Sequence, residues 1–340
     1  MTPDQQTLID RLQAYLSEQL GSPVRITAAK PLAGGASRDT WLFTVEQEDE
    51  TRQWVMRRDL PTQMFDDALT REQEYRLMDA AYQSGVTVAP VRLLCTDPDV
   101  LGSPFFIMDY VNGISIGRKV MTLPELDHAR RQLPQQMARE LAAIHALDVD
   151  AHGLDFLLRP PAGQSPAEAI VAQVRAILDQ LQVNNPTWEW TLRWAETHLP
   201  DPNPLSFVHG DFRIGNLLVD EDGLSAVIDW EFGHMGDPDE ELGYLCMRDW
   251  RFGNGEQRAA GLTDRESFIE AYEAHSGRSV RRESVDWWEL IGNIRWGVIC
   301  MSQANRHLSG ADPSVELASL GRRSAEMQLE ALNLIESYGI

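Results

Sequence analysis

The chain has 340 residues and a formal net charge of −22 at neutral pH, with 43% hydrophobic and 24% charged residues. That length suits two lobes with a sizeable core, and that balance of residues excludes a disordered or fibrous chain. So acidic a surface repels phosphate backbones and anionic lipid, which argues against nucleic acid or a membrane as the main partner.

Leu8, Ile9, Leu12, Leu16 and Leu20 recur at helical spacing, and Gly21 and Pro23 end that first helix. Val24–Leu32, Thr40–Glu46 and Arg52–Arg58 read as an antiparallel meander, rich in β-branched and aromatic residues. A helix is predicted over Met64–Ser84, closed by Gly85, with two further strands at Val91–Cys95 and Pro104–Val111. Beyond Asn112-Gly113 the pattern turns helical: Pro124–Leu147, Pro166–Val183, Pro186–Leu199, Asp264–His275, Glu283–Leu308 and Pro313–Tyr338. Several of these begin with Pro at the first helical position after a polar cap. Only Ser206–Gly236 interrupts them, as a short strand, a loop, and strands at Leu217–Asp220 and Ala226–Asp229 joined by the Asp222-Gly223 turn. Cys95, Cys246 and Cys300 are odd in number and far apart, which predicts free thiols in a reducing cytoplasm. Met1–Asp10 lacks the basic-then-apolar order of a signal peptide, and no apolar run approaches the ~20 residues that span a bilayer.

Chemistry concentrates in Phe207-Val208-His209-Gly210-Asp211-Phe212-Arg213-Ile214-Gly215-Asn216-Leu217, followed by Ala226-Val227-Ile228-Asp229-Trp230. Apolar strand residues lead into a polar loop, so a rigid scaffold presents Asp211 and Asn216. Asp229 ends the next hairpin strand, which brings it back beside that loop. Two carboxylates and a carboxamide converging in this way suit Mg²⁺, which takes one or two protein carboxylates plus substrate phosphates.

With His-Gly-Asp, four residues, Asn, and a later Ile-Asp-Trp, the sequence resembles the aminoglycoside phosphotransferase and choline-kinase-like family. Within that family it is similar to the branch associated with acyl-CoA dehydrogenases. The resemblance covers most of the chain and implies an α+β fold of protein-kinase-like, two-lobed type. Residues 1–111, with the leading helix and a hinge at 108–113, form an antiparallel-sheet lobe with one long helix that holds the nucleotide. Residues 112–340 form a mostly helical lobe with the catalytic loop and acceptor pocket. The implied activity is a small-molecule kinase, dependent on ATP (or GTP) and Mg²⁺, that moves the γ-phosphoryl group to a substrate hydroxyl. A hydroxyacyl-CoA is one acceptor class; a catalytically silent nucleotide-binding module is the alternative.

By the same resemblance, Asp211 is the catalytic residue that accepts or orients the hydroxyl proton, while Asn216 and Asp229 hold the metal. Gly34, Gly35 and Ser37 belong to the loop over the phosphates, where small residues let backbone N–H groups approach oxygens. Backbone at Asp109 and Val111 meets the adenine edge. Arg57 stands where kinases have a phosphate-gripping Lys; the sequence leaves Arg58 open as the alternative. Glu74, from the Glu-Tyr-Arg of the long helix, is its carboxylate partner. Glu72 lies about 200° around that helix and faces elsewhere. His209 reads as a brace for the loop. Asp237-Pro238-Asp239-Glu240 reads as a helix cap with a capping box, and Glu241 departs from the family's Asp. The Trp287, Trp288 and Trp296 stripe reads as core.

Overall fold

The computed structural model describes residues 3–32, 38–59 and 68–337. Helix α1 (Pro3–Leu20) is followed by β1 (Val24–Pro31), β2 (Arg38–Gln47) and β3 (Glu50–Asp59), paired as an antiparallel meander. After α2 (Arg71–Gln83) come β4 (Val91–Cys95), a short α3 (Pro98–Leu101) and β5 (Phe105–Asp109). These complete a five-stranded antiparallel sheet in the order β1-β2-β3-β5-β4.

The two faces of this sheet have different neighbours, which decides where each β3 side chain goes. Leu8, Leu12 and Leu16 of α1 pack with Trp41, Phe43, Trp54, Met56 and Phe105 on one face. Successive strand side chains alternate faces, so Val55 and Arg57 point the other way, toward α2 and the helical half. Helix α2 starts at Arg71, later than the predicted Met64. Thr70 accepts the Gln73 N–H while the Gln73 side chain takes the Thr70 N–H, and this reciprocal cap fixes the start.

The second half contains α4 (Gly117–Thr122), α5 (Asp127–His145), α6 (Pro166–Gln180), α7 (Pro186–Thr197), β6 (Ser206–Val208), β7 (Leu217–Asp220), β8 (Gly223–Val227) and β9 (His234–Gly236). It ends with α8 (Asp239–Leu245), α9 (Arg265–Ser276), α10 (Arg282–Leu308), α11 (Val315–Leu320) and α12 (Arg323–Ser337). One apolar core joins α2, α5, α9 and the β7–β8 hairpin. A second, built on Trp188, Trp287 and Trp288, joins α6, α7, α10 and α12.

Two predicted elements differ. The single helix expected from Pro313 to Tyr338 is two helices, α11 and α12, and Gly321 between them packs so close to α10 that a Cβ would stand 2.9 Å from the Ala304 Cβ. Strand β8 begins at Gly223 and ends at Val227, leaving Asp229 beyond the ladder with left-handed backbone, φ +68°.

Candidate active site

Strand β6 buries Phe207 and Val208, and the chain then leaves it through His209-Gly210-Asp211. Gly210 has φ +81°, and a Cβ there would stand 2.4 Å from the Phe232 carbonyl oxygen, so only glycine fits. Glu241 of α8 accepts the His209 N–H at 2.9 Å and the Gly210 N–H at 3.0 Å. His145 of α5 contacts Glu241 at 3.0 Å and the Tyr272 hydroxyl at 2.7 Å. Burial pushes the Glu241 carboxyl up, but His145 and the His209 N–H outweigh it and hold it below its ordinary value. The buried His209 ring receives the Asp211 N–H on Nδ1 and donates from Nε2 to the Ile228 carbonyl at 3.1 Å. Both neighbours of this turn are thereby tied to the loop that carries Asp229.

The Asp211 carboxylate receives three donors: the Tyr244 hydroxyl and Arg213 Nε on Oδ1, and Asn216 Nδ2 on Oδ2. Asn216 Nδ2 also donates to the Asp211 carbonyl at 2.9 Å. Spending Nδ2 twice on Asp211 leaves Asn216 Oδ1 as the acceptor end of that amide. The Ile228 N–H donates to the Asn216 carbonyl at 2.9 Å, which sets Asp229 beside Asn216. Asp229 and Asp211 both act electrostatically on Arg213. An aspartate held at positive φ is a sparsely populated backbone state of the kind found at functional sites.

Arg57 reaches this cluster from the sheet. Its Nη1 lies 2.7 Å from Glu74 and its Nη2 3.2 Å from Asp229 Oδ1. Burial pushes the Asp229 carboxyl up, but Arg57 opposes it and holds the group below the usual carboxylate range. Arg58 points to the opposite face and pairs with Asp39 and the Leu101 carbonyl. Of the two arginines left open by the sequence, Arg57 is therefore the one in the cleft. Glu74 is fully buried and Glu72 exposed, as the helix geometry requires. Arg71, three residues before Glu74 on the same face, pairs with Glu74 and lies 2.9 Å from Asp59. Sequence reasoning missed it, although its i,i+3 spacing from Glu74 is the signal that finds it.

Asp109 ends β5, gives its N–H to the Pro90 carbonyl at 2.9 Å, and pairs its carboxylate with Arg92. Val111 follows in irregular backbone. Gly34, Gly35 and Ser37 lie outside the described residues. The cap before α8 is simpler than predicted. Asp237 accepts the Asp239 N–H, but Glu240 turns away to His234 and Arg295 instead of completing a capping box. Tyr244, one turn into α8, was also missed; nothing in its spacing separates it from a core aromatic.

Asn216 and Asp229 offer hard oxygen donors of the kind a Mg²⁺ ion takes, with substrate phosphates completing its shell. Among the described residues no three His, Cys, Asp or Glu side chains gather as a protein-only metal cluster. The same loop forms one wall of a cavity of about 740 Å³. Arg213, Trp250, Phe252 and Trp296 line it, so Trp296 is a cavity residue while Trp287 and Trp288 are core.

A five-stranded sheet with the buried Arg57–Glu74 pair beneath it, set over a helical half that presents this polar hairpin, is a kinase-like, two-lobed α+β fold. The chain belongs to the phosphotransferase enzyme family, whose model matches residues 28–282. It is similar in structure to a putative aminoglycoside phosphotransferase from Ralstonia eutropha (26% identity, TM-score 0.78), with 96% of this chain and 98% of that one covered. A thermostable mutant of aminoglycoside phosphotransferase APH(4)-Ia, in ternary complex with AMP-PNP and hygromycin B, shares the fold at 16% identity and TM-score 0.61, over 96% of this chain and 98% of that one. Acyl-CoA dehydrogenase family member 10 of Mus musculus is 30% identical over 249 residues, which are 70% of this chain and 22% of that protein. The chain spans about a quarter of the length of the first curated relatives it matches.

Proposed function

We propose that the protein is an ATP- and Mg²⁺-dependent small-molecule kinase that transfers the γ-phosphoryl group to a substrate hydroxyl. The observation that carries this reading is that Asp211 and Asn216, hydrogen-bonded to each other, enter the β7–β8 hairpin that Asp229 leaves, while Arg57, paired with Glu74 of α2, reaches Asp229 from the sheet. Residues 1–111 form the nucleotide lobe and 112–340 the catalytic and acceptor lobe. GTP fits the same phosphate chemistry.

Phosphoryl transfer passes through a loose transition state, so catalysis is mostly positioning and charge neutralisation. Asp211 receives the proton of the attacking hydroxyl, and its three donors hold the carboxylate in one orientation. A well-placed base of this kind contributes about 10²–10⁴-fold, or roughly 3–5 kcal/mol. Asn216 Oδ1 and the Asp229 carboxylate hold Mg²⁺, which supplies charge neutralisation on the nucleotide phosphates when bound. Arg57 grips phosphate oxygens and is steered by Glu74; a guanidinium does this bidentately where an ammonium acts as a point charge. Backbone at Asp109 and Val111 meets the adenine, and the family resemblance gives Gly34, Gly35 and Ser37, outside the described residues, the role of phosphate loop.

The acceptor is a small molecule, with a hydroxyacyl-CoA among its candidates. The strongly acidic surface argues against nucleic acid and anionic lipid as its main partners, and among the described residues no helix is long and apolar enough to cross a bilayer. A cytoplasmic location suits three free, buried cysteines.

One observation favours a second reading, that of a silent nucleotide-binding module: Arg57 pairs with Asp229 itself and so competes for the metal ligand. A screen of hydroxyl acceptors with labelled ATP decides between them. Mg²⁺-dependent turnover that Asp211→Ala abolishes, with nucleotide binding kept, supports the kinase. Nucleotide binding with no turnover across the panel supports the silent module.

A further inference from the structure

Outside the catalytic cluster, the cavity beside the Asp211 loop has an unusual arrangement of charge for so acidic a chain. Arg213 Nε donates to Asp211, and its guanidinium lies over the Trp250 ring, 4.7 Å from the centroid. Trp250 in turn packs against Trp296 at 5.3 Å, and Trp296 Nε1 donates to Asp249. A continuous wall thus runs from the catalytic carboxylate to the far end of the cavity.

At that end the arginines face the space and the carboxylates stand behind them. The side chains of Arg248 and Arg323 are 48% and 45% exposed, whereas their partners Glu330 and Asp249 are only 10% and 6% exposed. Arg251 bridges Glu330 to the buried Glu289, and Glu326, 53% exposed and 4.0 Å from Arg323, also lines the cavity. Phe252 supplies an exposed apolar surface on the same wall and is held at φ +50°, a strained state for a bulky residue. A polycationic acceptor needs several open carboxylates, and this cavity sets a single open one, Glu326, against the open guanidinium groups of Arg248 and Arg323 and the aromatic faces. The overall charge of −22 opposes an anion only weakly here, because charges beyond about 8 Å are screened at physiological salt.

We propose that the acceptor is an anionic alcohol. Its hydroxyl lies at Asp211, its carbon body against Trp250, Phe252 and Trp296, and its carboxylate or phosphate on Arg248 and Arg323. This assignment rests on the phosphotransferase reading for the role of the hydroxyl; the anion site itself stands on the arginines.

Calorimetric titration of the full chain, saturated with AMP-PNP and Mg²⁺, tests it with matched probes: 6-hydroxyhexanoate, its amide, 6-amino-1-hexanol and glycerol 3-phosphate. The expected result is binding at least tenfold tighter for a carboxylate or phosphate probe than for the amide, with the amino alcohol weakest. Tighter binding of 6-hydroxyhexanoate assigns the anion as carboxylate, and of glycerol 3-phosphate as phosphate. The double variant Arg248→Gln, Arg323→Gln should erase the preference, and Arg248→Lys, Arg323→Lys should keep most of it. Equal or tighter binding of the amide or amine, no binding of either anion, or a preference that survives the glutamine variant overturns the proposal. Phosphoryl transfer is read separately with labelled ATP. Anion preference without transfer to any probe counts against the kinase reading and leaves the anion site standing.

Discussion

At the scale of single residues, the site depends on a few buried charges that satisfy one another. Asp211→Asn keeps the shape but removes the proposed proton acceptor. Turnover with labelled ATP should fall about 10²–10⁴-fold, with nucleotide affinity little changed; full activity in this variant would remove Asp211 from the chemistry. Arg57 carries a second kind of dependence, because it compensates Glu74 deep in the structure and Asp229 at the cleft. Arg57→Gln leaves a buried glutamate with Arg71 alone, and removing one partner of a buried pair typically costs about 3–5 kcal/mol. Part of that cost depends on pH in a definite direction. Asp229 is held below its ordinary value in the folded state, so as pH falls the unfolded chain takes up the proton first. The stabilisation is therefore complete above about pH 4, the ordinary aspartate value, and fades in more acid solution. Urea melts of wild type and Arg57→Gln should differ most at neutral pH and converge toward pH 3; a constant difference would show that Asp229 takes no part.

At the scale of elements, the His209-Gly210-Asp211 turn is shaped from behind by α8 and α5. Gly210→Ala forces a Cβ against the Phe232 carbonyl at positive φ. The backbone strain alone costs about 1–3 kcal/mol, and a thermal melt should show that loss together with weakened nucleotide binding. Glu241→Ala strips the acceptor from two N–H groups, each worth about 1–3 kcal/mol when left buried and unpaired. Glu241→Gln, which keeps an acceptor oxygen, should fall between alanine and wild type in the same melt. These elements show what the sequence makes legible. The meander, the β7–β8 hairpin and most helices follow from local periodicity, and the polar hairpin motif was readable because its spacing is local. Which β3 arginine faces the cleft depended on α1 covering the other face, a tertiary fact. Alternation put Arg57 and Val55 together but could not say which face was the cleft. The close packing of Gly321 on α10 is a tertiary contact, and the Glu241–His145–Tyr272 chain joins three helices that no local pattern connects. Trp296 looked like core because an aromatic at helical spacing has the same pattern whether it meets a neighbour or a cavity.

At the scale of the whole molecule, the two halves are joined at the site itself. The Leu69 N–H donates to the Glu231 carbonyl, and the Val227 N–H to the Thr87 carbonyl, each at 2.8 Å. The chain past β5 pairs with β7 through Ile114 and Val219. One apolar core includes Leu77, Met78 and Phe106 from the sheet half with Leu133, Met137 and Leu141 from α5. A ligand gripped by Arg57 on one side and by Asn216 and Asp229 on the other therefore engages both halves, and saturating it at 100 times its Kd should stabilise the fold by about 2.7 kcal/mol. The most direct test is a calorimetric titration of AMP-PNP into wild type and Asp229→Asn, with Mg²⁺ and with EDTA. The account predicts that Mg²⁺ tightens binding to wild type at least tenfold and that Asp229→Asn loses most of that gain. Affinity that is the same with Mg²⁺ and EDTA in wild type, or a gain that survives in Asp229→Asn, would contradict it.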